Sequence, residues 1–211
     1  MSPETARDGK RALRTDLLRR RRALTPEQRA DHANRLRDVV LGLPEIARAG
    51  TVATYVSVAA EPGTGPLLDA LAERGLRVLL PVTLADMTLD WAVYTDAGSL
   101  VPAGHGLTEP SGPRLGTAGV HTADVVLLPA LAVDGRGMRM GRGGGCYDRV
   151  LAALDPAVLS CALLYDHELV PEVPAEPHDR PVAAVATPAG VTRFASRFTS
   201  RTWTSPRPCT R

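Results

Sequence analysis

The chain is expected to fold as an α/β domain of three layers, α/β/α. Its sheet is expected to be mostly parallel with Rossmann-like topology, with an N-terminal helical pair packed on it. Three observations carry this. Short β-branched runs alternate with helical patterns from Thr51 onward. The run Asp124 to Val133 (D-V-V-L-L-P-A-L-A-V) reads as a strand buried on both faces. A glycine-rich loop at Met138 to Leu151 (M-R-M-G-R-G-G-G-C-Y-D-R-V-L) follows it and opens a further helical pattern.

Taken in order, Asp8 to Ala23 places Leu13, Leu17 and Leu18 at helical spacing between arginines. Thr25-Pro26-Glu27-Gln28 supplies an N-cap threonine, a proline at the first helical position and a glutamine that closes a capping box. The helix it starts carries Ala33, Leu36, Val39, Val40 and Leu43 on one face, with Pro44 past its end. Thr51 to Val58 is a β-branched strand, Pro66 to Arg74 a helix closed by Gly75, and Arg77 to Leu80 and Leu89 to Tyr94 are strands. Thr95 to Thr122, rich in glycine and proline, is mostly loop. Strands near Leu159 to Leu164 and Val182 to Thr187 complete the alternation. Residues 1–194 are expected to form one domain, and residues 195–211, rich in Ser, Thr, Arg and Pro, a flexible tail.

The 211 residues are 44% apolar and 23% charged, ordinary for a soluble globular protein. A net charge of +2 is too small to argue for a polyanionic partner. Cys146, Cys161 and Cys209 are odd in number with no C-x-x-C pair, which argues for a reducing compartment and against a zinc or disulfide framework. The charged N-terminus does not read as a secretory signal, and no apolar run is long enough to span a bilayer. A cytoplasmic monomer is expected, with no membrane and no nucleic acid as partner.

Strand, glycine loop and helix together let backbone N–H groups and a helix N-terminus surround a phosphate. The loop matches neither G-x-G-x-x-G, which would need a glycine at Cys146, nor the P-loop, which would need G-K-[ST]. On its glycines alone, a plain flexible loop stands level with a phosphate cradle. Arg139 and Arg142 within it, able to grip phosphate oxygens bidentately, move the balance toward the cradle. Asp148 at its exit suits a helix cap or a Mg²⁺ ligand equally.

Elsewhere, Lys10 and Arg14 share a helix face, for which a solvated basic face is the commoner reading. Arg19 to Arg22 runs all round the helix and reads as solvated surface. Glu61 follows the Thr51 strand, and ligands in open α/β sheets collect beyond carboxyl ends of strands, although an ordinary turn acid is the commoner reading. His178-Asp179 before the last strand reads as surface loop, and Cys146 and Cys161 as core or near-core thiols.

In order along the chain, these segments resemble the 5-formyltetrahydrofolate cyclo-ligase family. The matching elements are K-R-A-L-R at Lys10 to Arg14, L-T-P-E-Q-R at Leu24 to Arg29 and Y-V-S-V-A-A-E-P-G-T at Tyr55 to Thr64. R-V-L-L-P at Arg77 to Pro81, the glycine loop at Gly137 to Arg149 and H-D-R-P-V at His178 to Val182 complete the set. The loop ending in Y-D-R is the specific part, and the resemblance runs from Lys10 to Phe194.

The resemblance implies ATP- and Mg²⁺-dependent conversion of 5-formyltetrahydrofolate to 5,10-methenyltetrahydrofolate, with release of ADP and phosphate. It implies ATP contacts from Lys10, Arg11 and Arg14, and from the loop residues Arg139, Met140, Gly141, Arg142, Gly143, Gly144, Gly145, Cys146 and Tyr147. The stretch Arg142 to Cys146 would also face the folate, together with Val56 and Glu61. Asp148 and Asp179 would hold the metal, and Arg142 and Asp148 would act in catalysis. The partners implied are small molecules, ATP and a reduced folate. One departure is visible: the family usually carries an aromatic residue where this chain has Cys146, which removes stacking area beside the folate.

Three competing readings remain open from the residues. One is a relative that binds nucleotide or folate without turnover. Another is a different phosphate-ester enzyme on a similar scaffold, such as a sugar-phosphate isomerase or a CoA transferase, which leaves Lys10, Arg14 and Y-D-R unexplained. The third is nucleic-acid binding by the arginine-rich helix, which would be strongly salt-dependent.

Overall fold

Helix α1 (Pro3–Ala23) opens the chain in the computed structural model, which describes residues 3–176 and 179–194. His178 and residues 195–211, the expected tail, lie outside the described residues. Helix α2 (Pro26–Leu41) begins as its sequence dictates. The Gln28 amide donates to Thr25 Oγ1 at 3.2 Å and the Thr25 amide to Gln28 Oε1 at 2.9 Å, so two orphan N–H groups are satisfied reciprocally. A short helix, α3 (Pro44–Arg48), precedes strand β1 (Thr51–Ala53), helix α4 (Gly65–Glu73) and the antiparallel pair β2 (Arg77–Thr83) and β3 (Leu89–Tyr94). Strands β4 (Leu100–Pro102) and β5 (Thr108–Pro110) form a small hairpin within the long loop. The chain continues through β6 (Val125–Pro129), β7 (Ala132–Asp134), β8 (Arg139–Met140), α5 (Cys146–Ala153) and β9 (Leu159–Leu163). It closes with β10 (Leu169–Val170), β11 (Ala184–Thr187) and β12 (Gly190–Arg193).

The main sheet has seven strands in the order β12-β11-β9-β6-β1-β2-β3. Its inner strands are parallel, and one antiparallel strand borders each edge. Helices α2 and α4 cover one face, where Leu36, Val40, Leu67 and Leu71 pack on Val52, Val78, Leu127 and Leu163. Burying each such side chain contributes on the order of 1.5–3 kcal/mol. Helix α5 and the turn at Thr117–Thr122 cover the other, with Val150 and Val120 against Val126, Leu128, Trp91 and Val185. The three-layer α/β/α expectation holds. Both edges are managed: Leu115 donates to the Trp91 carbonyl at 2.8 Å along β3, and Arg193 on β12 pairs with Glu45 at 2.9 Å.

Four expectations need correction. The N-terminal pair is divided: α2 lies on the main sheet, whereas Leu17 of α1 packs on Leu131, Ala132, Met140 and Val173, around a second sheet of β10, β7 and β8. The apolar run Asp124 to Val133 is two strands in different sheets, because β6 ends at Pro129, which has no N–H to continue a ladder. The strand expected over Thr51 to Val58 stops at Ala53. Beyond it side chains capture the backbone: Thr64 Oγ1 accepts from the Ser57 amide at 2.9 Å, and Glu61 Oε2 from the Val58 amide at 2.9 Å. Strand β12 adds an antiparallel edge where no strand was expected.

Candidate functional site

The five parallel strands run in the spatial order β11-β9-β6-β1-β2, so the chain direction across the sheet reverses between β1 and β6. Crevices form beyond the carboxyl ends of strands at such a point, because the two connections leave on opposite faces. A cavity of about 460 Å³ opens there. Val56 and Glu61 from the segment after β1 reach its wall, as do Ala130 and Leu131 after β6 and the glycine loop from Arg139 to Asp148.

The loop leaves β8, the short outer arm of a hairpin, rather than a central strand as expected. It turns through Gly143 (φ +109°) and Gly145 (φ +67°), both in a region that side-chain-bearing residues rarely adopt. Gly145 is the N-cap of α5 and makes no side-chain cap, so the first-turn N–H groups of the helix end at the cavity without intrahelical acceptors. Asp148 does not cap its own helix. Its Oδ1 accepts from Arg139 Nη2 at 2.8 Å and from the Arg180 amide at 3.1 Å. That pair is well buried, with the Arg139 side chain 3% exposed.

Helix α1 presents a charged stripe to the same space. Lys10 Nζ lies 2.6 Å from Asp179 Oδ2 and 2.9 Å from Glu176 Oε2. Burial alone would push this ammonium's pKa down, but the hydrogen bonds to Asp179 and Glu176 outweigh burial and raise it. One turn on, Arg14 Nη2 donates to the Gly141 carbonyl at 3.4 Å. Arg14 and Arg139 each keep a buried Nε with no acceptor among the described residues. These two N–H groups leave the wall beside the loop with donors that an anionic ligand could meet.

Across the cavity, Glu61 Oε1 pairs with Arg142 Nη2 at 3.1 Å; Glu61 is 7% exposed and Arg142 51%. Burial raises the Glu61 pKa despite the Val58 amide and Arg142. Tyr55 and Tyr147 stand beside it, their phenols pushed well above the ordinary range by burial and by the Glu61 charge. Cys146 is a half-buried thiol whose Sγ lies 3.7 Å from the Gly144 carbonyl, and the Met87 side chain lines the cavity nearby.

A family model described as the 5-formyltetrahydrofolate cyclo-ligase family matches residues 6–188. The chain belongs to this cyclo-ligase family. The 5-formyltetrahydrofolate cyclo-ligase of Mycolicibacterium smegmatis is 45% identical over 193 residues, covering 89% of this chain and 96% of the relative. That of Escherichia coli K12 is 34% identical over 178 residues, covering 83% and 98%. In fold, the chain is similar to the solution structure of Aquifex aeolicus 5,10-methenyltetrahydrofolate synthetase, with a TM-score of 0.76, 24% identity and coverage of 94% and 96%.

Of the residues that the cyclo-ligase resemblance singled out, all but one line the cavity, from Lys10 on α1 to Asp179 beyond β10. The exception is Arg11, which is exposed and lies outside the cavity lining, as expected when neighbours on a helix diverge by about 100°. The structure also brings in residues that were not singled out: Arg21, Tyr55, Met87, Glu109 and Glu176. Arg21 corrects the reading of Arg19 to Arg22 as surface, since its side chain is 1% exposed. Its position was legible, four residues after Leu17 and seven after Arg14, on one helical stripe. No helix among the described residues is long and apolar enough to cross a membrane.

The raised Glu61 pKa has a consequence for stability. A folded-state value above the unfolded one contributes stability that is present below the unfolded pKa and lost as pH rises through the folded one. Ionised Glu61 therefore works against the fold near neutral pH. Glu61→Gln, which keeps an acceptor for Val58, is expected to raise the melting temperature at about pH 7 by roughly 2–4 °C. The gain should narrow toward about pH 5 in parallel melts; one of equal size at both would rule out this account.

Proposed function

We propose that the protein converts 5-formyltetrahydrofolate to 5,10-methenyltetrahydrofolate at the expense of ATP. One observation carries the reading: a single cavity joins a donor-rich glycine loop and helix N-terminus to a buried carboxylate, Glu61. The first suits a polyphosphate, and the second suits the N–H-rich edge of a pterin. The names of the relatives above point the same way.

Attack of N10 on the formyl carbon stalls because the formamide oxygen leaves poorly. When that oxygen attacks the γ-phosphorus of ATP, ADP departs and an imino-phosphate forms. N10 then adds to the same carbon and gives up its proton, and the C–O bond breaks with phosphate as the leaving group. Little covalent work falls to the chain. Lys10 and Arg14 would hold the phosphate chain and the N–H groups of the loop would surround the transferred group. Arg142 would bridge the loop and the folate side, neutralising charge at the transferred oxygen.

Asp148 and Asp179 fit Mg²⁺ chemically, since both offer hard carboxylate oxygens. Among the described residues no group of three or more His, Cys, Asp or Glu could hold a metal ion, so phosphate oxygens and water would complete the shell. The ion would supply charge neutralisation on the phosphates. Each aspartate now faces a cation, Arg139 or Lys10, which would have to share it.

The test is direct. Purified protein mixed with 5-formyltetrahydrofolate, ATP and Mg²⁺ should produce the methenyl absorbance, and omission of ATP or the metal should abolish it. ATP binding with no methenyl product would favour the binder without turnover.

A further inference from the structure

A fully buried ion pair borders the cavity through Arg21, and nothing in the proposed chemistry uses it. Arg21, in the last turn of α1, donates through Nη2 to Glu168 Oε2 at 2.9 Å and to the Ala130 carbonyl at 2.6 Å. Its Nε donates to Glu168 Oε1, and the two side chains are 1% and 0% exposed. Glu168 Oε2 also accepts the Tyr165 amide at 3.0 Å. The Tyr165 ring, itself fully buried, is held by the Arg21 guanidinium 5.9 Å from its centroid, by His167 stacked at 5.9 Å and by His32 tilted at 5.4 Å. Its hydroxyl crosses to the turn after β1 and donates to the Glu61 backbone carbonyl at 3.1 Å.

That turn needs an outside hold. Ala59 sits at φ +52°, a left-handed conformation that costs a non-glycine residue energy, and Glu61 closes the turn through its amide to the Val58 carbonyl at 3.1 Å. A buried ion pair is also a poor way to gain stability, because desolvating both charges offsets most of their attraction. Such an arrangement is better explained by the geometry it fixes.

We propose that Tyr165, braced by the Arg21–Glu168 pair, is the positioning residue that fixes the Glu61 carboxylate for the edge of the pterin. The proposal rests on the reading of Glu61 as a folate ligand. It ties the two substrate sides together, since α1 carries Lys10 and Arg14 in its middle and Arg21 in its last turn. None of the three touches the reacting atoms; they act through Glu61.

Tyr165→Phe removes one hydroxyl and keeps the ring. Calorimetric titration should then show 5-formyltetrahydrofolate binding weakened about three- to tenfold, as for one lost hydrogen bond. The KM for folate should rise in the same ratio, with ATP affinity nearly unchanged and the melting temperature lower by about 2–4 °C, since the Glu61 carbonyl loses a buried donor. Unaltered folate affinity would overturn the proposal, as would equal losses for both ligands. The double variant Arg21→Met with Glu168→Leu removes the brace while keeping its volume apolar. It should fold and raise the folate KM in the same direction; a KM equal to that of the wild type would remove the pair from the proposal. If the wild-type chain bound no folate, the Glu61 reading itself would fall, a result distinct from tight wild-type binding that the variants leave untouched.

Discussion

Arg142→Ala is expected to lower kcat/KM for 5-formyltetrahydrofolate by about 10²- to 10³-fold, the usual consequence of removing a donor that meets developing charge. Stability should fall far less than activity, because the guanidinium is 51% exposed and Glu61 keeps the Val58 amide as a donor when Arg142 is gone. Methenyl formation and thermal melts together separate the two effects, and activity within about tenfold of wild type would remove Arg142 from the chemistry. Asp148→Ala is a poorer probe. It strips the buried Arg139 of its carboxylate and the Arg180 amide of its acceptor, so lost activity could be lost structure. Asp148→Asn, which keeps an acceptor oxygen, isolates the role of the charge.

The largest effect on the fold should come from Glu168→Ala. It leaves Arg21 charged and buried, with the Ala130 carbonyl as its remaining partner. Breaking a buried pair from one side costs about 3–5 kcal/mol. That is a large share of the roughly 5–15 kcal/mol that stabilises a typical domain. Denaturant unfolding should show the midpoint falling sharply with an unchanged slope. A loss below about 1 kcal/mol would mean that Arg21 finds water or another partner once Glu168 is gone.

These residues also mark where the sequence can be read and where it cannot. The Thr25–Gln28 capping box, the glycine loop and the start of α5 were legible because each is decided within a few residues. The ion pair of Arg21 was not: the stripe it shares with Leu17 and Arg14 gives its face, but its partner Glu168 stands 147 positions away. The division of Asp124 to Val133 into two sheets depends on where β7 finds β8 and β10, although Pro129 is a visible stop. On α1, spacing assigns Lys10 and Arg14 to one stripe and excludes Arg11, whereas matching a motif as a continuous block had included it. Glu176 reaches the cavity from the irregular segment after β10, which carries no periodic signal.

The two borders of the main sheet have a bearing on how the protein behaves when crowded. An uncovered border strand offers a row of unsatisfied amides on which another chain can crystallise, the first step toward fibrous aggregates. On the β3 side that row is partly taken up by the segment around Leu115. On the β12 side the strand is only four residues long and ends in Arg193, whose guanidinium is clamped to Glu45. A second strand approaching there would meet the Arg193–Glu45 pair and few amides to register against, which disfavours self-templating at that border.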